Sequence, residues 1–175
     1  MSRPLAYFIT VSTYDAWLHG REIGSIDKQH NEYGTPFLDT NPDREQDEQS
    51  KMREPPYLLN AERRRVVLAT ISEVCRHRGW KLWACHVRST HVHIVVSADA
   101  KPEKVMIDLK AYSSRRLKEQ LKEAADAKRW TQHGSTLYLW KGTDIAVKIE
   151  YTLNGQGELM ECFDGRSEPD AQAKS

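Results

Sequence analysis

The 175-residue chain contains no apolar run of about 18 residues or more, so none of it reads as a membrane-spanning helix. Cysteine is scarce: Cys75, Cys85 and Cys162 are odd in number, widely spaced and form no CxxC pair. That pattern implies neither a disulfide framework nor a zinc knuckle. The opening MSRPLAYFITVSTYD lacks an apolar core followed by a small-residue cleavage site. The sequence therefore leads us to expect a protein that is not exported and works in the reducing cytoplasm.

A large net charge is also missing, but the total of +1 conceals an asymmetry. Residues 1–59 hold 6 basic and 10 acidic side chains, residues 60–151 hold 18 and 10, and residues 152–175 hold 2 and 5. The basic excess thus sits in the middle of the chain, as expected if that part meets a polyanion. A solvated basic helix face would give the same count, so charge alone does not decide.

Hydrophobic patterning organises the chain as one domain over 1–157, interrupted by a long polar insertion at about 15–56 and followed by an acidic tail at 158–175. Residues 4–14, rich in aromatic and β-branched side chains, predict a first strand. The insertion is far longer than an ordinary connection and includes the nearly all-polar DREQDEQSKMRE. Asn60 reads as the N-cap of a helix over about 61–78 that Gly79 ends. WKLWACHV (80–87) and THVHIVVSA (90–98) read as a hairpin around Arg88 and Ser89. Pro102 opens a second helix over roughly 103–125. Residues 136–140 read as a fourth strand, RWTQHG before it as a loop, and 143–155 as a third helix. The order β-α-β-β-α-β-α predicts an α+β fold of the ferredoxin-like, split βαβ kind. Its antiparallel sheet has helices on one face, and the final helix could lie across the sheet.

Within this frame the stretch RSTHVHIVVS stands out. Alternation along a strand puts His91 and His93 on one face and Val92 with Ile94 on the other. Two neighbouring imidazoles can bind a metal, touch a phosphate or simply pack. As metal ligands they are an incomplete set, and a third donor must come from elsewhere. A histidine-triad nucleotide hydrolase would carry a third histidine at the next alternate position, which here is Val95. His86 and His133 read as bystanders, one packed at the end of a strand, the other in a Gly-Ser loop. The tryptophans Trp80, Trp83, Trp130 and Trp140 read mostly as core, an exposed one being suited to stacking on an unpaired base.

Of seven tyrosines, Tyr112 and Tyr151 fall on predicted helices. Tyr112 falls on the inward stripe of its helix with Leu109. Tyr151 lies near a helix C-terminus beside Asn154 and Gln156. Lys148, one turn before Tyr151, can support that phenol if both face the strand, although a solvated helix lysine is the plain alternative. Lys110, Arg115 and Arg116 read either as contacts to phosphate or as a solvated face.

RSTHVHIVVSAD, the basic helix with LKAYSSRRLK, WTQHGSTLYLW and AVKIEYTLNGQGE together resemble the single-tyrosine HUH transposases, which include insertion-sequence enzymes and their REP-associated relatives. In that family a central strand carries His-hydrophobic-His. About sixty residues later a helix carries a nucleophilic tyrosine, followed within roughly a turn by Asn or Gln. Here Tyr151 lies 60 residues after His91. The resemblance covers about residues 60–157 and the first strand. The chain departs from the family pattern in three ways: Thr90 precedes the first histidine where many members have Asn or Asp, Gly155 places Gln156 five positions after Tyr151, and the insertion has no counterpart in the small members.

The resemblance implies a metal-dependent single-stranded DNA endonuclease and strand transferase. Tyr151 would be its nucleophile, His91, His93 and Gln156 its ligands to a divalent magnesium or manganese ion, and Lys110, Arg115 and Lys148 its contacts to DNA. It implies a single-stranded DNA partner with hairpin ends and no membrane. The assembly would be either a homodimer that exchanges the tyrosine helix or a chain acting alone. A hairpin-binding relative that does not cleave fits the charge distribution equally well.

Overall fold

The computed structural model describes residues 2–15 and 55–167. The insertion expected at 15–56 lies almost wholly outside the described residues, as does the tail beyond 167. The elements are β1 (Ala6–Thr13), α1 (Ala61–Arg78), β2 (Lys81–Val87), β3 (His91–Ser97), α2 (Pro102–Leu121), β4 (Trp130–Leu139), α3 (Gly142–Asn154) and β5 (Glu161–Asp164), with a 3-10 turn at Gly165–Ser167. The strands form one antiparallel sheet in the order β4-β1-β3-β2-β5. Its first four strands have the order of the ferredoxin-like fold, and the histidine strand β3 is central.

Alternation on these strands supplies two cores. Tyr7, Ile9 and Val11 of β1, with Val92, Ile94 and Val96 of β3, face the apolar stripes of α1 (Val67, Ile71, Val74) and α2 (Val105, Leu109, Leu117). The opposite face offers Ala6, Phe8, Ala84 and Val95, which Ile145, Ile149 and Leu153 of α3 cover at helical spacing. Among the described residues the elements form three layers, and α3 is the helix on the face that carries the histidine pair.

Local chemistry sets the boundaries. The Asn60 side chain accepts the Arg63 N–H at 2.9 Å, capping α1. At the other end Gly79 adopts φ 70° and lets the Trp80 N–H return to the Cys75 carbonyl at 2.8 Å. Helix α2 ends at Leu121, earlier than its periodicity predicts. Lys122 turns left-handed there, and Glu123 instead accepts hydrogen bonds from Tyr57, Arg63 and Arg129.

Two strands differ from expectation. β4 begins at Trp130, because pairing with β1 recruits the polar segment that reads as a loop. Gly134 permits this: a Cβ there would lie 2.7 Å from the Thr10 carbonyl oxygen and against Met106 Sδ. Within the acidic segment read as a loose tail, Glu161–Asp164 adds a fifth strand to the outer edge of β2 and Phe163 packs on the main core. Among the described residues no helix is long and apolar enough to cross a membrane.

Candidate nuclease site

The register of β3 fixes the centre of the site. His93 pairs with Thr10 on one side and His86 on the other, and His91 pairs with Ser12 and projects on the same face. The two imidazole centroids are 4.7 Å apart. Each ring has a threonine hydroxyl at its Nδ1: Thr10 Oγ1 at 2.9 Å from His93 and Thr90 Oγ1 at 3.1 Å from His91. The Nε2 edge of His93 faces Gln156 Oε1 at 3.1 Å. Gln156 therefore joins the histidine pair even though it lies beyond the last residue of α3.

Burial favours the neutral form of both imidazoles. Burial lowers the pKa of His91 below the usual histidine value, and burial reinforced by the neighbouring His91 takes His93 down to about 3. Neutral rings can offer lone pairs to a cation. Among the described residues no three His, Cys, Asp or Glu side chains cluster for a metal, and the third polar group beside the two imidazoles is the Gln156 amide oxygen. Two imidazole nitrogens and one amide oxygen suit a divalent ion that keeps open positions for water or phosphate. The hydroxyl of Thr10 can donate or accept, so it serves either tautomer of His93. The donor set fits the expected ion.

α3 brings the phenol. The Tyr151 ring centroid is 5.7 Å from that of His93 and 5.8 Å from that of Phe8, while Phe8 stacks on His93 at 5.4 Å. Tyr151 remains 43% exposed although its ring touches two aromatic neighbours. Lys148 Nζ lies 5.0 Å from the Tyr151 ring centroid and 4.7 Å from that of Phe8, on the same side of the helix.

The other candidates are placed elsewhere. Tyr112 is not inward: Ser113 takes the buried position, and Tyr112 is exposed on α2, in the layer opposite the histidine pair. Arg115 is exposed on the same helix. Lys110 donates to the Thr131 and His133 carbonyl oxygens at 2.9 and 3.2 Å, which ties its ammonium to β4. Of the three cations expected at DNA, only Lys148 adjoins the histidine pair. Val95, the position a histidine triad would need, is fully buried against α3. His133 is exposed on β4, and Trp140, also expected in the core, is exposed and meets Tyr138 edge-on at 5.9 Å.

Fold and site define an α+β sheet protein that gathers two imidazoles, an amide and a phenol on one face. The chain belongs to the family described as "Transposase IS200 like", whose model matches residues 50–139. The matched segment includes His91 and His93 and stops at the end of β4, before Tyr151 and Gln156. Among solved structures, the chain is similar to a REP-associated tyrosine transposase bound to a REP hairpin. That similarity has 11% identity and a TM-score of 0.46, covering 87% of this chain and 66% of the other. It is also similar to a candidate transposase from Deinococcus radiodurans R1, with 15% identity and a TM-score of 0.44, covering 85% and 88%. The chain thus spans just under two thirds of the first of these proteins. A comparison with curated proteins gives no match.

Proposed function

We propose that this transposase-family chain nicks and rejoins single-stranded DNA through Tyr151, in the cytoplasm and on strands that carry hairpin ends. One observation carries the reading: within a single chain, an exposed tyrosine stands edge-on to the buried His93 of the histidine pair, 5.7 Å away between ring centroids.

His91, His93 and Gln156 would hold a magnesium or manganese ion, which supplies positive charge to a non-bridging oxygen of the bound phosphate. The chain's own groups do the rest. The sheet fixes the imidazoles, Phe8 backs both His93 and Tyr151, and Lys148 adds positive charge beside the phenol. The Tyr151 oxygen bonds to phosphorus and the bond from phosphorus to the 3′ oxygen breaks. The phenolic proton passes to solvent and the released 3′ oxygen takes one up. The 5′-phosphotyrosine keeps a phosphodiester, so a second 3′-hydroxyl can attack it and restore the phenol without ATP. Because α3 packs on its own sheet, the acting tyrosine is taken to be the chain's own.

The test is incubation with a 5′-labelled and a 3′-labelled hairpin-bearing single strand, with manganese, magnesium or chelator. Metal-dependent cleavage with a denaturation-resistant adduct on the 5′-phosphate side is expected, and Tyr151→Phe should abolish it. Tight hairpin binding with no cleavage under any metal would instead establish a binding protein.

A further inference from the structure

His86 reads from sequence as a packed bystander, yet it is fully buried and both of its ring nitrogens are engaged across the sheet. Its Nε2 accepts the Met160 N–H at 3.0 Å. An accepting Nε2 places the ring proton on Nδ1, which then donates to the Thr152 carbonyl at 3.0 Å. Thr152 directly follows Tyr151, and Met160 closes the loop that contains Gln156. The ring therefore holds both ends of the segment on which the phenol and the amide stand.

That segment needs an external hold. α3 ends at Asn154, and Gln156 lies five residues after Tyr151, so the helix does not set its position. Gly155 makes the sharp departure from the helix: its N–H returns to the Tyr151 carbonyl at 3.0 Å, and a Cβ there would lie 2.8 Å from that oxygen. Beyond it, His86 of β2 holds the Met160 amide, and Arg88, just past the end of β2, donates from its guanidinium to the Glu158 carbonyl at 2.8 Å. His86 is also the cross-strand partner of His93. One residue of β2 thus registers the loop against the histidine strand.

We infer that His86 is a positioning residue, which sets Tyr151 and Gln156 against the His91–His93 pair by clamping the Thr152 carbonyl and the Met160 amide. The inference rests on the proposed role of Tyr151 for its catalytic consequence, but not for its structural one. His86→Phe keeps the ring and removes both bonds. His86→Asn retains a donor near the position of Nδ1, and His86→Gln retains an acceptor near that of Nε2.

The experiment compares these variants with the wild-type chain at a temperature where each is folded by circular dichroism. It reads backbone hydrogen exchange across residues 152–160, manganese affinity, and the single-turnover rate of adduct formation alongside single-strand affinity. In His86→Phe, exchange should rise in 152–160 and not in β1 or β3. Manganese affinity and adduct rate should each fall about 10- to 100-fold while DNA affinity holds within about twofold. His86→Asn and His86→Gln should each recover part of the loss. Unchanged exchange in 152–160, or faster exchange with wild-type manganese affinity, would overturn the inference. If wild-type protein forms no adduct, the reading of Tyr151 fails, and the exchange and manganese results still decide the role of His86. If His86→Phe does not fold, the Asn and Gln variants decide the same question.

Discussion

The ring of Tyr151 meets the ring of His93 at 65° with centroids 5.7 Å apart, although 58 residues separate the two in sequence. Phe8 lies against both, so three elements, β1, β3 and α3, converge on one spot. The phenol is exposed while the imidazole is buried.

Removing a histidine separates chemistry from binding. His91→Ala should lower metal-dependent cleavage by about 100- to 1,000-fold, because a fixed source of positive charge at the phosphate is lost. Single-strand affinity, carried mainly by phosphate contacts, should change by about threefold or less at constant salt. Cleavage rate and fluorescence anisotropy on the same oligonucleotide check this. Undiminished cleavage would remove the histidine pair from the reaction.

The hydroxyl behind His93 should matter for the ion and not for the fold. Thr10→Val removes the 2.9 Å partner of His93 Nδ1 and preserves shape. Manganese affinity by calorimetry should drop about tenfold. The melting temperature should move little.

Acid stability should report Glu123. Burial pulls its pKa up, but hydrogen bonds from Tyr57, Arg129 and Arg63 outweigh burial and leave it below the reference value of 4.5. A carboxylate whose pKa is depressed in the folded state adds stability above its unfolded pKa, and that stability is lost as pH falls through the folded value. The wild-type melting temperature should therefore fall below about pH 4.5 more steeply than that of Glu123→Gln. At neutral pH the variant should be less stable by about 3 kcal/mol, since it leaves the buried Arg129 guanidinium without its countercharge.

Helix exchange between chains has its own test. A mixture of Tyr151→Phe and His91→Ala proteins should remain inactive, because each chain is expected to use its own tyrosine. Restored cleavage in the mixture would show that α3 serves a partner.

Much of this arrangement is legible in the sequence where a local rule acts. Asn60 and Gly79 fix α1 because capping and left-handed glycine are local effects. Alternation in HVHIVV fixes β3 and the shared face of its histidines. What is not legible depends on tertiary partners. β5 is four residues long and exists because the edge of β2 accepts it. β4 starts early because an edge strand tolerates polar side chains. Tyr112 sits beside the buried stripe of α2 but not in it, and periodicity does not resolve one residue of helical phase there. His86 finds its two backbone partners more than sixty residues away, where no local pattern points to them. Gln156 is a reasonable ligand on chemistry alone, but only the turn at Gly155 explains how it gets there.

The most direct test is to locate the covalent link. After reaction with a single-stranded oligonucleotide in manganese, protease and nuclease digestion followed by mass spectrometry should yield one modified peptide, with a 5′-phosphonucleotide on Tyr151. A nucleotide on Tyr112 or any other residue, or cleavage that leaves every tyrosine unmodified under conditions that trap the intermediate, would contradict the account.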